Sequence, residues 1–367
     1  MLKELPGTGR IIRSLFLLLF LMNTRPVHSQ ADTLKPFSFS FFGELYYGYD
    51  LSQPANHERP FFLYNHKRHN EVNVNLTYVK GSIALKKFRA NLGLMAGNYA
   101  QNNLSSEPEW ARYVYEADMG IRIPGKTTLW LDAGIMPSHI GFESAVNTDC
   151  WTLTRSILAE NSPYYETGIR LSYTGPKEKL NAGLMLLNGW QRIKRPDGFR
   201  RPAIGMQFNY KPIPALTLNY SNFIGSAQPD SVHALRVFHN LYAIFEPAGR
   251  WGLTAGFDIG TDKYNGSDYS AWFSPVLIGR YKLNKRTYLA ARMEYYHDPR
   301  QIIIVTHSPR GFSTIGSSLN LDYRVNSWLT WRIEGRLFYA GDKIFVSRSM
   351  IAVNDNNAFV INITVKL

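Results

Sequence analysis

The strongest constraint on this chain is an alternation of apolar and polar residues sustained longer than a soluble sheet requires. In "LTLNYSN", Leu216, Leu218 and Tyr220 share one face, and Thr217, Asn219 and Ser221 the other. In "LTWRIEGRLFY", Leu329, Trp331, Ile333, Leu337 and Tyr339 stand opposite Thr330, Arg332, Glu334 and Arg336. "RWGLTAGFDIG" separates Trp251, Leu253, Ala255, Phe257 and Ile259 from Gly252, Thr254, Gly256 and Asp258. The final "AFVINITVKL" sets Phe359, Ile361, Ile363, Val365 and Leu367 against Asn362, Thr364 and Lys366. Period 2 marks strands whose two faces meet different surroundings. The runs last roughly 10–15 residues, against about 5–6 for an average strand. The apolar face is continuous; the other carries charges and glycines and suits water. A secreted β-sandwich also alternates, but its strands are shorter and its outward face is polar, so here the charged face must line a cavity.

The breaks between runs alternate in length. Short ones are "GK" (125–126), "GPKEK" (175–179), "PIP" (212–214), "PAGR" (247–250), "NKR" (284–286) and "NS" (326–327). Longer polar breaks fall near 52–69, 102–108, 137–164, 190–201, 226–233, 262–268, 298–310 and 341–356. Short turns at one end and long loops at the other describe an all-β, transmembrane, up-and-down antiparallel β-barrel, with its short turns facing the periplasm. Counting runs predicts sixteen strands. The alternation slips around Lys80 within 72–87, which predicts a bulge there. Outward aromatic residues precede the short turns at Tyr173, Tyr210, Phe245, Tyr281 and Tyr323, spaced 37, 35, 36 and 42 residues apart, and Leu367 follows 44 residues later. Rings at that level form an interfacial girdle. The last strand must run to its end because it closes the barrel against the first; unpaired backbone groups facing lipid each cost several kcal/mol.

Composition is consistent with this class. The chain has 367 residues, 45% hydrophobic and 14% aromatic, and its mean hydropathy is slightly negative. That excludes a bundle of transmembrane helices but not a barrel, whose polar lumen offsets the lipid face. Lys3, Arg10 and Arg13 precede the apolar run Leu15 to Met22, followed by Pro26 and the small Ser29. This is the layout of a signal peptide over residues 1–29, cleaved near Ser29 or Ala31, with an apolar run too short to span a bilayer. Its removal takes four Lys/Arg and one Glu, leaving 37 basic against 27 acidic residues, a net +10, on a single barrel domain, 30–367. The one cysteine, Cys150, excludes an intramolecular disulfide framework and reads as an unpaired loop residue.

"GELYYGYDLSQPANHERPFFLYNHKRHNEVNVNL" (43–76), "LDAGIMPSHIGFES" (131–144), "ENSPYYETGIRLSYT" (160–174) and "LNGWQ" (187–191) resemble the outer-membrane β-barrel porins of the OmpL-like type. The resemblance covers the first half by motif and the remainder by strand pattern. It implies a pore-forming barrel in the outer membrane without naming a solute. One departure is Leu367, where such barrels usually end in an aromatic residue.

The expected function is a porin-like channel for passive diffusion of small hydrophilic solutes. Sixteen strands enclose a channel too wide to discriminate unaided. By resemblance to porins, the longest break, Pro137 to Tyr164, folds inward carrying Glu143, Asp149, Arg155 and Glu160. Across the lumen it faces strands twelve to fifteen, which point Arg280, Arg292, Arg324, Arg332 and Arg336 inward among Glu294, Asp322 and Glu334. Opposed charges across a constriction create a transverse field, and the arginine excess predicts mild anion preference; charges that merely neutralise one another within the wall are the plainer reading. A non-conducting barrel acting as a surface adhesin or lipopolysaccharide-binding protein is the alternative. Its contact residues would be Arg192, Lys194, Arg195, Arg200 and Arg201, clamping phosphates by charge-assisted hydrogen bonds, although such charge runs are usually only solvated. Outer-membrane lipids, the solutes and further copies of the chain are the expected partners; nucleic acid is not. No GxSxG, HExxH or P-loop pattern occurs, so neither an enzyme nor a cofactor is expected. His66 and His69 with Glu58 and Glu71, which could form a metal or acid–base cluster, read as a solvated loop. Asp262, Asn265 and Asp268 lack an EF-hand pattern.

Overall fold

A computed structural model describes residues 36–125, 128–263 and 268–367. The expected signal peptide, Lys126 of the "GK" turn and Asn265 lie outside the described residues. Sixteen strands close into one antiparallel barrel. In chain order they are β1 (Phe37–Asp50), β2 (Val72–Ala84), β3 (Phe88–Ala96), β4 (Val114–Arg122), β5 (Leu129–Pro137), β6 (Tyr165–Thr174), β7 (Leu180–Leu187) and β8 (Ala203–Ile213). They continue with β9 (Leu216–Gly225), β10 (Arg236–Phe245), β11 (Trp251–Lys263), β12 (Tyr269–Lys282), β13 (Thr287–Asp298), β14 (Phe312–Arg324), β15 (Leu329–Ala340) and β18 (Asp355–Lys366). Two-residue strands, β16 (Phe345–Val346) and β17 (Ala352–Val353), pair with each other in the loop before β18.

Every barrel strand pairs with its sequence neighbour, and β18 closes on β1 in register from Phe42 opposite Lys366 to Asp50 opposite Ala358. Leu367 extends the seam: its amide donates to the Phe41 carbonyl (2.8 Å), and the Phe41 amide donates back (3.0 Å). The expected slip lies earlier than Lys80. Leu45 pairs with Val74 and Gly43 with Thr77, so Asn75 and Leu76 of β2 share the single residue Glu44 as their opposite. That is a bulge, and it turns both Asn75 and Leu76 inward to full burial.

Alternation decides what each face meets. Along β15, Arg332, Glu334, Arg336, Phe338 and Ala340 point inward and are buried, while Leu337 and Tyr339 face outward. Outward Leu92, Met119, Leu277, Met293, Ile315 and Leu319 are likewise exposed, giving the wall an apolar belt. Near the short turns Tyr210, Tyr281 and Tyr323 are exposed, and Tyr173 and Phe245 half-buried. In register with Tyr281 and Tyr323 lie Trp251 and Trp331, which add to the ring.

Inside, the strand register stacks three levels. Tyr288, Asp322 and Arg332 are neighbours nearest the short turns; Arg292, Ser318 and Arg336 form a row at mid-height. Above them, toward the long loops, Trp272, Tyr296, Phe312 and Phe338 are buried with Phe223 and Phe238 in one apolar cluster. The upper lumen is therefore aromatic, although its inward positions read as a water-facing surface.

Candidate functional site

The third long loop leaves β5 at Pro137 and re-enters the wall at Tyr165. It folds inward, and its backbone is held by side chains of the far wall. Asn320 accepts from the Leu153 amide (3.0 Å), Glu334 from Thr154 (2.5 Å) and Glu294 from Ile157 (2.6 Å). Buried amides without partners would each carry a desolvation cost, so these wall acceptors make the inward path tolerable. Glycines of β11 supply room. A Cβ at Gly252 would fall 2.7 Å from the Trp151 ring, and one at Gly256 would collide with Phe142. Gly252 and Gly256 therefore seat loop aromatics, where the sequence pattern assigns them to a water-facing surface.

The charged residues fall into three groups. Arg292 is fully buried: it donates to the Thr154 carbonyl (2.7 Å) and Glu334 (3.0 Å), and lies 3.3 Å from Glu294 and 3.8 Å from Glu143. Arg336, also buried, donates to Glu294 (2.9 Å) and covers the Phe338 ring. Arg332 donates to Asp322 (2.6 Å) and to the carbonyls of Asn147 (2.7 Å) and Cys150 (3.1 Å). Loop and wall are thus stitched by paired arginines that are 1–2% exposed. Removing one partner of such a pair costs about 3–5 kcal/mol because the other charge is left buried.

The loop's own charges serve different ends. Glu143 accepts from the Ser156 amide and hydroxyl; burial pushes its pKa up, against the pull of Arg292 and Ser156. Arg155 makes no wall contact of this kind: it donates to the carbonyls of Ser144 (2.5 Å), Ala145 (2.7 Å) and Leu153 (2.8 Å), bracing its own loop. Glu160 accepts from the Tyr64 (2.8 Å) and Asn65 (3.2 Å) amides of the first long loop. Asp149, half exposed, pairs with Lys366 (2.5 Å).

The first long loop lies over the third. Phe62 sits edge-on to Phe312 (4.9 Å) and Phe338 (5.4 Å), capping the aromatic level. The part of this loop that carries His66 and His69 is not solvated. His66 is fully buried 2.6 Å from Glu44, and the Asp50 amide donates to His69 Nδ1 (2.9 Å). Glu58 and Glu71 instead hold Arg68, so the four residues form no common cluster.

Arg280 and Arg324 belong to neither stitch. They line a vestibule at the short-turn mouth, where cavities of about 440 and 360 Å³ are bounded by Trp151, Trp328 and Tyr288. Arg280 pairs with Glu246 (2.6 Å) and lies between the rings of Trp151 (4.8 Å) and Tyr288 (5.0 Å); Arg324 also packs on Tyr288 (4.5 Å). Of the loop 190–201 cations, Lys194, Arg200 and Arg201 are exposed, and Arg192 and Arg195 half-buried. Glu107 anchors that loop through the Ile193 and Lys194 amides (3.0 Å each). Asp262 is buried on Arg236 (3.0 Å). Cys150 is a free, buried thiol, its pKa raised by burial. Among the described residues no group of three His, Cys, Asp or Glu side chains could hold a metal ion.

The family described as "Putative beta-barrel porin-2, OmpL-like" matches residues 36–367. No curated protein matches the chain in sequence. Among solved structures, the chain is similar to an anion-selective porin from Comamonas acidovorans (TM-score 0.58, 10% identity, covering 90% of this chain and 100% of that one). The outer membrane channel DcaP of Acinetobacter baumannii is comparable (0.58, 8% identity, 90% and 97%). So is the trimer form of OmpT from Vibrio cholerae (0.55, 9% identity, 91% and 100%). At these identities the likeness is one of fold.

Proposed function

The chain belongs to the OmpL-like β-barrel porin-2 family, and on that premise we propose that it is an outer-membrane channel of narrow bore for small hydrophilic solutes, with a mild preference for anions. The observation that carries this reading is the third loop, drawn into a closed sixteen-strand barrel and bonded to its far wall. Glu143, Asp149, Arg155 and Glu160 with Arg280, Arg292, Arg324, Arg332 and Arg336 define the constriction, but in separate roles. The buried pairs narrow the bore; the vestibule supplies the field. Apart from the Arg332–Asp322 ion pair, Arg250, Arg280, Lys282, Arg324 and Lys366 face Asp149 and Glu246 there, five cations against two acids. An excess of three positive charges in a confined mouth concentrates anions. The Comamonas acidovorans neighbour is itself an anion-selective porin, which supports the same preference.

The Vibrio cholerae neighbour, similar in its trimer form, supports association of further copies. Export by residues 1–29 belongs to this reading, and amino-terminal sequencing of protein from outer membranes checks it. Recordings in planar bilayers test the whole: small unitary openings, closures in steps of the copy number, and a reversal potential of anionic sign under a salt gradient. The Arg280→Ser/Arg324→Ser double variant is expected to reduce that preference while leaving the openings in place. A silent bilayer would favour a second reading, which the 1–2% exposure of the mid-lumen arginines supports: a plugged barrel whose outer cations at Arg192, Lys194, Arg195, Arg200 and Arg201 hold lipopolysaccharide. Lipopolysaccharide lost from preparations with these replaced by Ser would then identify it.

A further inference from the structure

Arg59, on the first long loop, is 2% exposed and forms no ion pair among the described residues. Its Nη1 donates to the His66 carbonyl (3.2 Å), but Nε and Nη2 have no hydrogen-bond partner. The carboxylate that most favours its charge, Asp50, is already engaged by the Asn356 amide group (2.9 Å to each oxygen) and the Ser52 amide (2.9 Å). Burial and the Arg336 charge both work against the Arg59 cation. A buried guanidinium normally has a partner, because the desolvation of an unpaired charge is not repaid.

Arg59 lines a cavity of about 220 Å³ at the long-loop mouth, between the first loop and the β16–β17 hairpin. A second cation lines it too. Lys67 is 9% exposed and reaches only two carbonyl oxygens, of Pro60 (3.3 Å) and Phe61 (3.4 Å). Glu58, the other acid of the lining, is turned to Arg68. The rest of the wall includes Phe61, Ile344, Phe345 and Val346. Nε and one terminal nitrogen of a guanidinium form a side-on fork that matches the two oxygens of a carboxylate.

We propose that this cavity binds the carboxylate of a small organic acid: the Arg59 guanidinium, whose free Nε–Nη2 edge is covered in this structure, turns that edge to the two oxygens as the acid enters, with Lys67 Nζ as the second cation and the apolar residues around its carbon skeleton. The site lies on the opposite side of the inserted loop from the vestibule arginines and is independent of conduction.

Benzoate is the probe, titrated into the purified full-length protein in detergent and followed by calorimetry and unfolding temperature. Saturable binding with a raised unfolding temperature is expected, and none with benzamide, the uncharged counterpart. Arg59→Gln should weaken benzoate binding at least tenfold, and Lys67→Gln more weakly in the same direction. Arg59→Gln removes an unpaired cation, so it should fold as well as the parent, and heat-modifiable gel migration verifies this. Equal binding of benzamide, or undiminished benzoate binding by folded Arg59→Gln, would overturn the proposal. Response to inorganic phosphate or to lipid A but not to benzoate would overturn it as well, assigning the cavity to a phosphate group. A channel that never opens leaves the test unaffected.

Discussion

His139 shows how far a single side chain can commit the inserted loop. Its Nδ1 lies 2.6 Å from Glu166 and its Nε2 2.7 Å from the Asn222 carbonyl, and it is 4% exposed. Both ring nitrogens face acceptors, which requires a proton on each. Burial lowers its pKa, but the Glu166 charge and hydrogen bond outweigh it, leaving the pKa above the usual value. A raised folded-state pKa contributes stability that is complete below the unfolded value of about 6.5 and lost as pH rises through the folded value. The gap in unfolding temperature between the parent and His139→Gln is therefore expected to be widest near pH 5 and to shrink toward pH 9. A gap constant across that range would mean a neutral ring. Nothing in the sequence marks His139, since a lone loop histidine has no partner until Glu166 and Asn222 are brought to it. Gly205 is equally silent there, yet a Cβ on it would fall 2.7 Å from the imidazole. Alternation tells which way a residue points, not what will fill the space it points into.

Strands are the most legible elements, because lipid outside and polar contents inside impose one rule on each of them. The turn at 85–87 between β2 and β3 is hidden by its composition, Leu-Lys-Lys, which lacks the residues that usually signal a turn. The bulge in β2 is legible as a slip but falls elsewhere than expected, since one extra residue shifts the phase of everything after it. Lipid-facing assignments can be tested directly. Leu277 and Leu319 lie near the middle of β12 and β14 and are 48% and 57% exposed. Leu277→Arg or Leu319→Arg should cost about 2–4 kcal/mol in equilibrium folding into lipid vesicles if these sites lie near the bilayer midplane. Values near zero for both would place them away from the hydrocarbon. Among loops, the basic run 192–201 declares its charge, whereas the burial of the first loop is signalled only by the short apolar and aromatic run from Phe61 to Tyr64 inside a polar break.

For the whole molecule, the lumen contents decide the bore. Replacing Glu143–Glu160 by a short Gly-Ser linker is expected to give a larger unitary conductance in planar bilayers, with the barrel still heat-modifiable on gels. Unchanged conductance would locate the narrowest level at the Phe62 layer instead. The β1–β18 seam carries a further consequence for assembly. The first strand finds its closing partner only in the last, and the inserted loop is fastened by residues from β13 to β15, so Leu153 waits on Asn320, 167 positions away. Contacts of such sequence separation demand that long loops close before they return any stabilisation, and chains dominated by them fold slowly. A partly threaded chain has an open edge on each side and no wall on which to seat its loop. Assembly is thus expected to approach all-or-none behaviour, with the lumen filled only as the cylinder shuts, and a factor that shields both edges in the meantime would shorten the wait without altering the end state.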